Sequence, residues 1–192
     1  MVNMMSVLNP IYLKEETKQK VRKSFLHSAQ SDFPAVLLKD FFNKNFYEEL
    51  QKKVSSLHFT KNTVVLHHSY AASSFKIFSK ELCDFLSFVT KKKIEEVNFT
   101  VLVLTWKDYQ ILNDKYLEKP GTDIVIDLTD AWDADWGGVV TYTDGKGTAY
   151  PLAPAGNSLA LVERKKNLHK YIQYINHYGK NKKRMVLIAT LW

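Results

Sequence analysis

Asn113 and Lys115 pose the first chemical question in this chain. They close the stretch DYQILNDK, residues 108–115, which lies between the apolar runs VNFTVLVLTW and DIVIDLT. Strand residues two apart share a face. An amide and an ammonium are therefore aimed at one spot, and Asp114 points the other way. An amide oxygen is a poor metal ligand. An ammonium repels a metal and, in an apolar setting, must itself be paired, with Asp114 or another nearby carboxylate as the candidate partner. The plainer reading is a solvated turn, which favours Asn and Asp. Two histidines, His169 and His177, share strand parity, but eight strand residues separate them by about 26 Å. They cannot serve one metal. His67 and His68 are adjacent and would diverge on a strand, so VVLHHSY reads as an edge or a loop. Arg184 opens RMVLIATL and shares a face with Val186, Ile188 and Thr190; a guanidinium fork matches a carboxylate bidentately. The competing reading places Arg184 at the end of a basic turn, KNKKR. Cys83 is the single cysteine, which excludes an internal disulfide and a CxxC metal site.

The elements that must position these residues change character along the chain. Residues 10–30 have helical spacing, with Tyr12, Val21, Phe25 and Leu26 on one side. SDFPAVLLKDFF is short and extended, punctuated by Pro34. Residues 40–57 resume helical spacing through Phe42, Phe46, Leu50 and Val54. FSKELCDFLSFVT predicts a third helix, with Ser79 as N-cap and Leu82, Phe85, Leu86 and Val89 as its buried stripe. From Asn98 onward the pattern is a series of short strand-like runs: VNFTVLVLTW, YQIL, TDIVIDLT, GVVTYT, TAYPLA, NSLALVER, HKYIQYINHY and RMVLIATLW. In the last of these Met185, Leu187, Ala189 and Leu191 share one face. Many short strands without intervening helices mean a sandwich or barrel. Helices first and strands later mean an α+β, mainly β chain, with the helices packed on an outer sheet face. Gly137 and Gly138 permit a tight approach into the following strand.

Bulk properties set limits. The 192 residues suffice for one sizeable domain, and 45% hydrophobic with 13% aromatic residues fits a folded globule. The division expected is a helical support region with first strands, 1–97, and a β core, 98–192. The charge of +7 raises nucleic acid as a partner. The basic residues nevertheless cluster in RKK, KKK and KNKKR, turn-like segments in which charge is usually solvated, and this disfavours nucleic acid. The start, MVNMMSVLNPIYLKEE, lacks an apolar core long enough for a signal peptide. No run approaches the roughly 20 apolar residues of a membrane span. The expectation is a cytoplasmic protein with no membrane partner.

The order of motifs in the second half resembles the 2-oxoglutarate- and Fe(II)-dependent oxygenases, in their small prolyl-4-hydroxylase-like branch. DYQILNDK resembles that family's strand ending in His-x-Asp. WDADWGGVVTYTD resembles its Trp-and-Gly-Gly segment, and PLAPAGNSLALVER its Pro-x-x-Asn strand. HKYIQYINHYGKNKKRMVLIATLW resembles its distal His strand, with a His-x-Val-x-x-Val run, followed by the Arg that binds 2-oxoglutarate. NPIYLKEETKQKVRKSFLHS and PAVLLKDFFNKNFYEEL resemble the helices and first strand before the barrel, so the likeness covers nearly the whole chain.

The resemblance implies a double-stranded β-helix, a jelly roll whose mouth holds iron between two histidines and one carboxylate. It implies His169 as the distal ligand and Arg184 as the grip on 2-oxoglutarate, with Tyr109 as an aromatic beside that cosubstrate. Asn113 and Lys115 stand where His and Asp are expected, and Asp114 could ligate only if a bulge re-aimed it. Two functions follow. One is an oxygenase using Fe(II) and 2-oxoglutarate to hydroxylate a protein or peptide, prolyl by analogy. The other is a catalytically inactive pseudo-oxygenase, without these cofactors, that binds a protein or a small ligand.

Overall fold

The computed structural model of the chain describes residues 6–28, 30–64, 68–111, 119–144 and 146–192. Four α-helices occur among them: α1 (Pro10–Leu13), α2 (Glu15–Ser28), α3 (Lys44–Ser55) and α4 (Lys80–Thr90). The single helix expected over residues 10–30 is interrupted at Lys14, whose ψ of 130° is extended. Asn9 caps α1 through its side chain and Pro10 opens it, where the missing N–H costs nothing. Ser79 caps α4 by accepting from the Leu82 amide at 3.1 Å. Leu82, Phe85, Leu86 and Val89 are all buried, as the spacing predicts.

Eleven strands form one antiparallel sheet that curls on itself. They are β1 (Ala35–Leu38), β2 (Thr60–Val64), β3 (His68–Ile77), β4 (Val97–Leu104), β5 (Tyr109–Gln110), β6 (Gly121–Asp127), β7 (Val140–Thr143), β8 (Ala149–Pro151), β9 (Ser158–Arg164), β10 (His169–Ile172) and β11 (Arg184–Leu191). The strand order is β1-β9-β6-β11-β4-β3-β5-β10-β7-β8, with β2 paired to the outside of β3. The first six form a larger face and the last four a smaller one. Short β5 joins the two, pairing with β3 on one side and β10 on the other. This is the jelly roll. Each of the eight strand-like runs of the second half contributes a strand to it, although HKYIQYINHY does so only over His169–Ile172. The first half adds β1, β2 and the ten-residue β3.

Alternation along the larger face sorts residues between two cores. Ile124, Ile126, Leu159, Leu161, Leu187 and Ala189 pack against the helices, with Leu50, Val54, Phe85, Leu86 and Val89. Their strand neighbours Val125, Ala160, Val162, Val186 and Ile188 face inward, against Val140, Tyr142, Ile172 and Ile175 of the smaller face. Asn157 ties the helical layer to the sheet. Its amide oxygen accepts from the Phe42 N–H at 2.9 Å and its amide nitrogen donates to the Phe42 carbonyl at 3.0 Å. Gly137, at φ +80°, stands just before β7, and a Cβ there would lie 2.0 Å from the Tyr174 carbonyl oxygen. The Gly-Gly pair is thus a close backbone crossing. No described helix is long and apolar enough to cross a membrane.

Candidate functional site

β6 reads GTDIVID, and its alternation is decisive. Ile124 and Ile126 face the helices, so Asp123, Val125 and Asp127 face the barrel interior. Asp123 has no exposed surface and Asp127 only 5%. A carboxylate buried to this degree must be paired and hydrogen-bonded, and each of the two is. They anchor two polar centres about 13 Å apart along one strand.

The outer centre lies where β6 and β10 begin and β9 and β11 end. Asp123 accepts from Arg164 Nε at 3.2 Å and from Lys170 Nζ at 3.2 Å. The Thr190 hydroxyl donates to it at 2.7 Å and the Tyr142 hydroxyl at 2.9 Å. Arg164 and Thr190 come from the larger face, Tyr142 and Lys170 from the smaller one, so the cluster clips the barrel shut at this end. Burial by itself would push the Asp123 carboxyl up. The charges of Lys170 and Arg164, aided by the Thr190 hydroxyl, outweigh burial and hold it below the ordinary aspartate value.

The inner centre lies where β6 ends and β11 begins. Arg184, 2% exposed, donates through Nη1 to Asp127 Oδ1. Asp127 also accepts from the backbone N–H of Thr129 and of Ala155, each at 2.8 Å. The Arg184 guanidinium lies over the Trp132 ring at 5.7 Å, and Trp132 is itself fixed by donating to the Gly137 carbonyl at 2.8 Å. Between the two centres the interior is apolar, filled by Val125, Val140, Ala160 and Ile188. The cavity left beside Asp127 and Arg184 measures ≈ 10 Å³.

The residues singled out from the sequence fare differently. Arg184 points into the interior, as its parity with Val186 and Ile188 implied. His169 does not. On β10, Lys170 reaches Asp123 and Ile172 belongs to the inner core, so His169 lies on the opposite face, paired with Thr143 across from it. Tyr109 pairs with Ser69, whereas Gln110 pairs with Ile172 and His68. Tyr109 therefore shares the outer face, and its ring packs 6.3 Å from that of the exposed Tyr174. The structure does not bring His169 or Tyr109 to Arg184. Asn113, Asp114, Lys115 and His67 lie outside the described residues. Asp108, at the head of the same stretch, is a structural staple: buried, it accepts from Lys61, Ser69 and both the amide and hydroxyl of Thr105.

Sequence reasoning missed Lys170, Arg164 and the two aspartates. A signal for Lys170 was present. The run with apolar residues at the second and fifth places after its first member fits Lys170, Ile172 and Ile175 as well as it fits His169, and both isoleucines have no exposed surface. The sequence offers both registers; burial selects the one headed by Lys170. An Fe(II) ion needs three neutral or anionic ligands converging on it. Among the described residues no group of three His, Cys, Asp or Glu could hold a metal, and the outer centre offers one carboxylate between two cations. These residues do not fit Fe(II). The cavity at the inner centre likewise does not fit 2-oxoglutarate.

No protein-family model matches the chain, and no curated protein matches it in sequence. Solved structures do match in fold. A prolyl-4-hydroxylase from Pseudomonas putida superposes with a TM-score of 0.64 at 10% identity, over 89% of this chain and 97% of that one. A 2OG-Fe(II) oxygenase family oxidoreductase from Burkholderia pseudomallei gives 0.65 at 10% identity, over 92% and 91%. A prolyl hydroxylase from Trichoplax adhaerens gives 0.69 at 9% identity, over 95% of each chain. With sequence identity this low and coverage this complete, what the chain shares with them is architecture: it has the jelly-roll fold of the 2-oxoglutarate- and Fe(II)-dependent oxygenases, in the form seen in prolyl hydroxylases.

Proposed function

We propose that this protein is a catalytically inactive member of the oxygenase fold, a pseudo-oxygenase that acts as a binding module for a protein or peptide segment. One observation carries the reading. Lys170, next to the His169 that the resemblance implied as distal ligand, takes the inward position at the start of β10, and its ammonium is held by Asp123 beside Arg164. A cation about 4 Å from a divalent ion costs about 8 kcal/mol at an effective dielectric of 20. The resemblance adds Lys115 at the carboxylate position. The charged residues inside the barrel pair with one another, and those on Asp123 tie its two faces together. The chain keeps a fold that in one neighbour, the Trichoplax prolyl hydroxylase, is in complex with a hypoxia inducible factor peptide fragment; this supports a peptide as partner. The prolyl hydroxylase reading rests on the fold neighbours alone, and fold does not imply activity.

Anaerobic titration with Fe(II), followed by metal analysis of the desalted protein, tests this. The expected result is no stoichiometric iron, and no 2-oxoglutarate turnover when peptide libraries are added. Stoichiometric iron with 2-oxoglutarate consumption would return the protein to the active oxygenases.

A further inference from the structure

Arg184 has the chemistry of a carboxylate grip, and a carboxylate of the chain itself already occupies it. Three donors converge on Asp127: the Arg184 guanidinium and the backbone N–H groups of Thr129 and Ala155. Two are fixed main-chain dipoles and the third is a side chain buried against Trp132. The fork is used at one point only. Arg184 Nε is buried and has no hydrogen-bond partner among the described residues, although a guanidinium binds a free carboxylate best through two parallel bonds. Apart from Ser158 the lining around the pair is apolar, Leu37, Val125, Val140, Leu152 and Ala160 among it, and the space left is ≈ 10 Å³. That is about the room a single water needs.

We infer that Asp127 is a resident carboxylate: it fills, from within the chain, the subsite in which Arg184 would hold the carboxylate of a small acid, and removing its side chain opens that subsite to carboxylates of formate or acetate size. The inference deepens the inactive-barrel reading and rests on it for why no external acid is needed. The size class follows from the substitution. Asp127→Ala removes one carboxyl group and leaves the Thr129 and Ala155 N–H groups and the Arg184 fork facing the space it vacates.

The test is chemical rescue. Thermal unfolding of wild type, Asp127→Ala and the double variant Asp127→Ala with Arg184→Met is followed in sodium formate, sodium acetate and, at equal ionic strength, sodium chloride. Asp127→Ala is expected to gain several degrees in Tm with formate or acetate over chloride, rising with concentration as for a ligand bound only by the folded state. Wild type and the double variant are expected to show no such difference. A folded Asp127→Ala that responds equally to all three salts overturns the inference, as does equal rescue of the double variant. If Asp127→Ala does not fold in any salt, the wild type decides. Its Arg184 Nε–H resonance should stay unmoved by formate or 2-oxoglutarate, and a saturable shift there shows that the subsite is open and the inference wrong. Iron binding by the wild type would overturn the pseudo-oxygenase reading without touching the rescue result, so the two failures are distinguishable.

Discussion

The two faces of the larger sheet are made by alternate residues of the same strands, yet they are built on different principles. Toward the helices, β6, β9 and β11 present Ile124, Ile126, Leu159, Leu161, Leu187 and Ala189, an apolar layer with one polar cluster at its edge, where Thr122 and Glu163 meet Lys92. Toward the barrel interior the same strands present Asp123, Asp127, Arg164 and Arg184 among Val125, Ala160 and Val186. The helix face supplies burial of apolar area, the main favourable contribution to folding. The interior withdraws charges from water, where a well-packed apolar set of similar volume is often as stable or more so. Stability alone therefore does not account for the interior ions. What the outer ions do is join the barrel's two faces, since Arg164 and Lys170 come from opposite faces and meet on Asp123.

The comparison can be broken hardest at Asp123. Asp123→Ala leaves Arg164 and Lys170 facing each other without the carboxylate between them. Removing one partner of a buried pair costs roughly 3–5 kcal/mol, and urea unfolding should show a loss of that size with an unchanged m-value. On the helix face, Ile126→Ala should cost about 3 kcal/mol from lost transfer energy plus the cavity left behind. If Ile126→Ala proves much the more damaging of the two, the interior ions contribute little and the contrast between the faces fails.

Acid sharpens the contrast less drastically. The Asp123 carboxyl titrates below its ordinary value of 3.8. Its stabilising contribution is complete above that value and is lost as the pH falls through the lower folded-state value. Asp108 behaves alike. Burial pushes it up, but hydrogen bonds from Lys61, Thr105 and Ser69 bring it below the ordinary range. Stability measured by urea unfolding should therefore fall below about pH 4. Asp123→Asn should reduce that slope and leave the part due to Asp108. An unchanged slope would mean that Asp123 is not ionised in the fold. The smallest effect is expected from replacing a whole pair at once. Asp127→Leu with Arg184→Met exchanges ions for apolar volume and should change stability by less than about 1 kcal/mol, or raise it; a large loss would make the inner centre a stabilising element in its own right.

Much of this architecture is legible in the sequence because it rests on local rules. Ser79 followed by Leu82, Phe85, Leu86 and Val89 can be little but a capped amphipathic helix. RMVLIATL alternates so regularly that the pattern of residue types alone separates its two faces. β3 is harder. HSYAASSFKI is rich in Ser and Ala, residues that carry little strand signal, and it becomes a strand because β4 and β2 pair with it on either side.

The sequence by itself determined the strand runs of the second half, the capped helix after Ser79 and the face that Arg184 shares with Val186 and Ile188, since each depends on neighbours a few residues away. Only the tertiary structure decided which residues meet inside. His169 and Lys170 differ by one position, and on a strand one position is the whole difference between the two faces of the sheet. Composition and spacing are nearly blind to that slip. It was resolved by the long-range packing of Ile172 and Ile175 against Val125 and Ile188, which puts an ammonium rather than an imidazole in the barrel. The same holds for Asp123 and Asp127. In an alternating run a carboxylate ordinarily marks the side facing water, and here it marks the inside, because cations from distant strands converge on it.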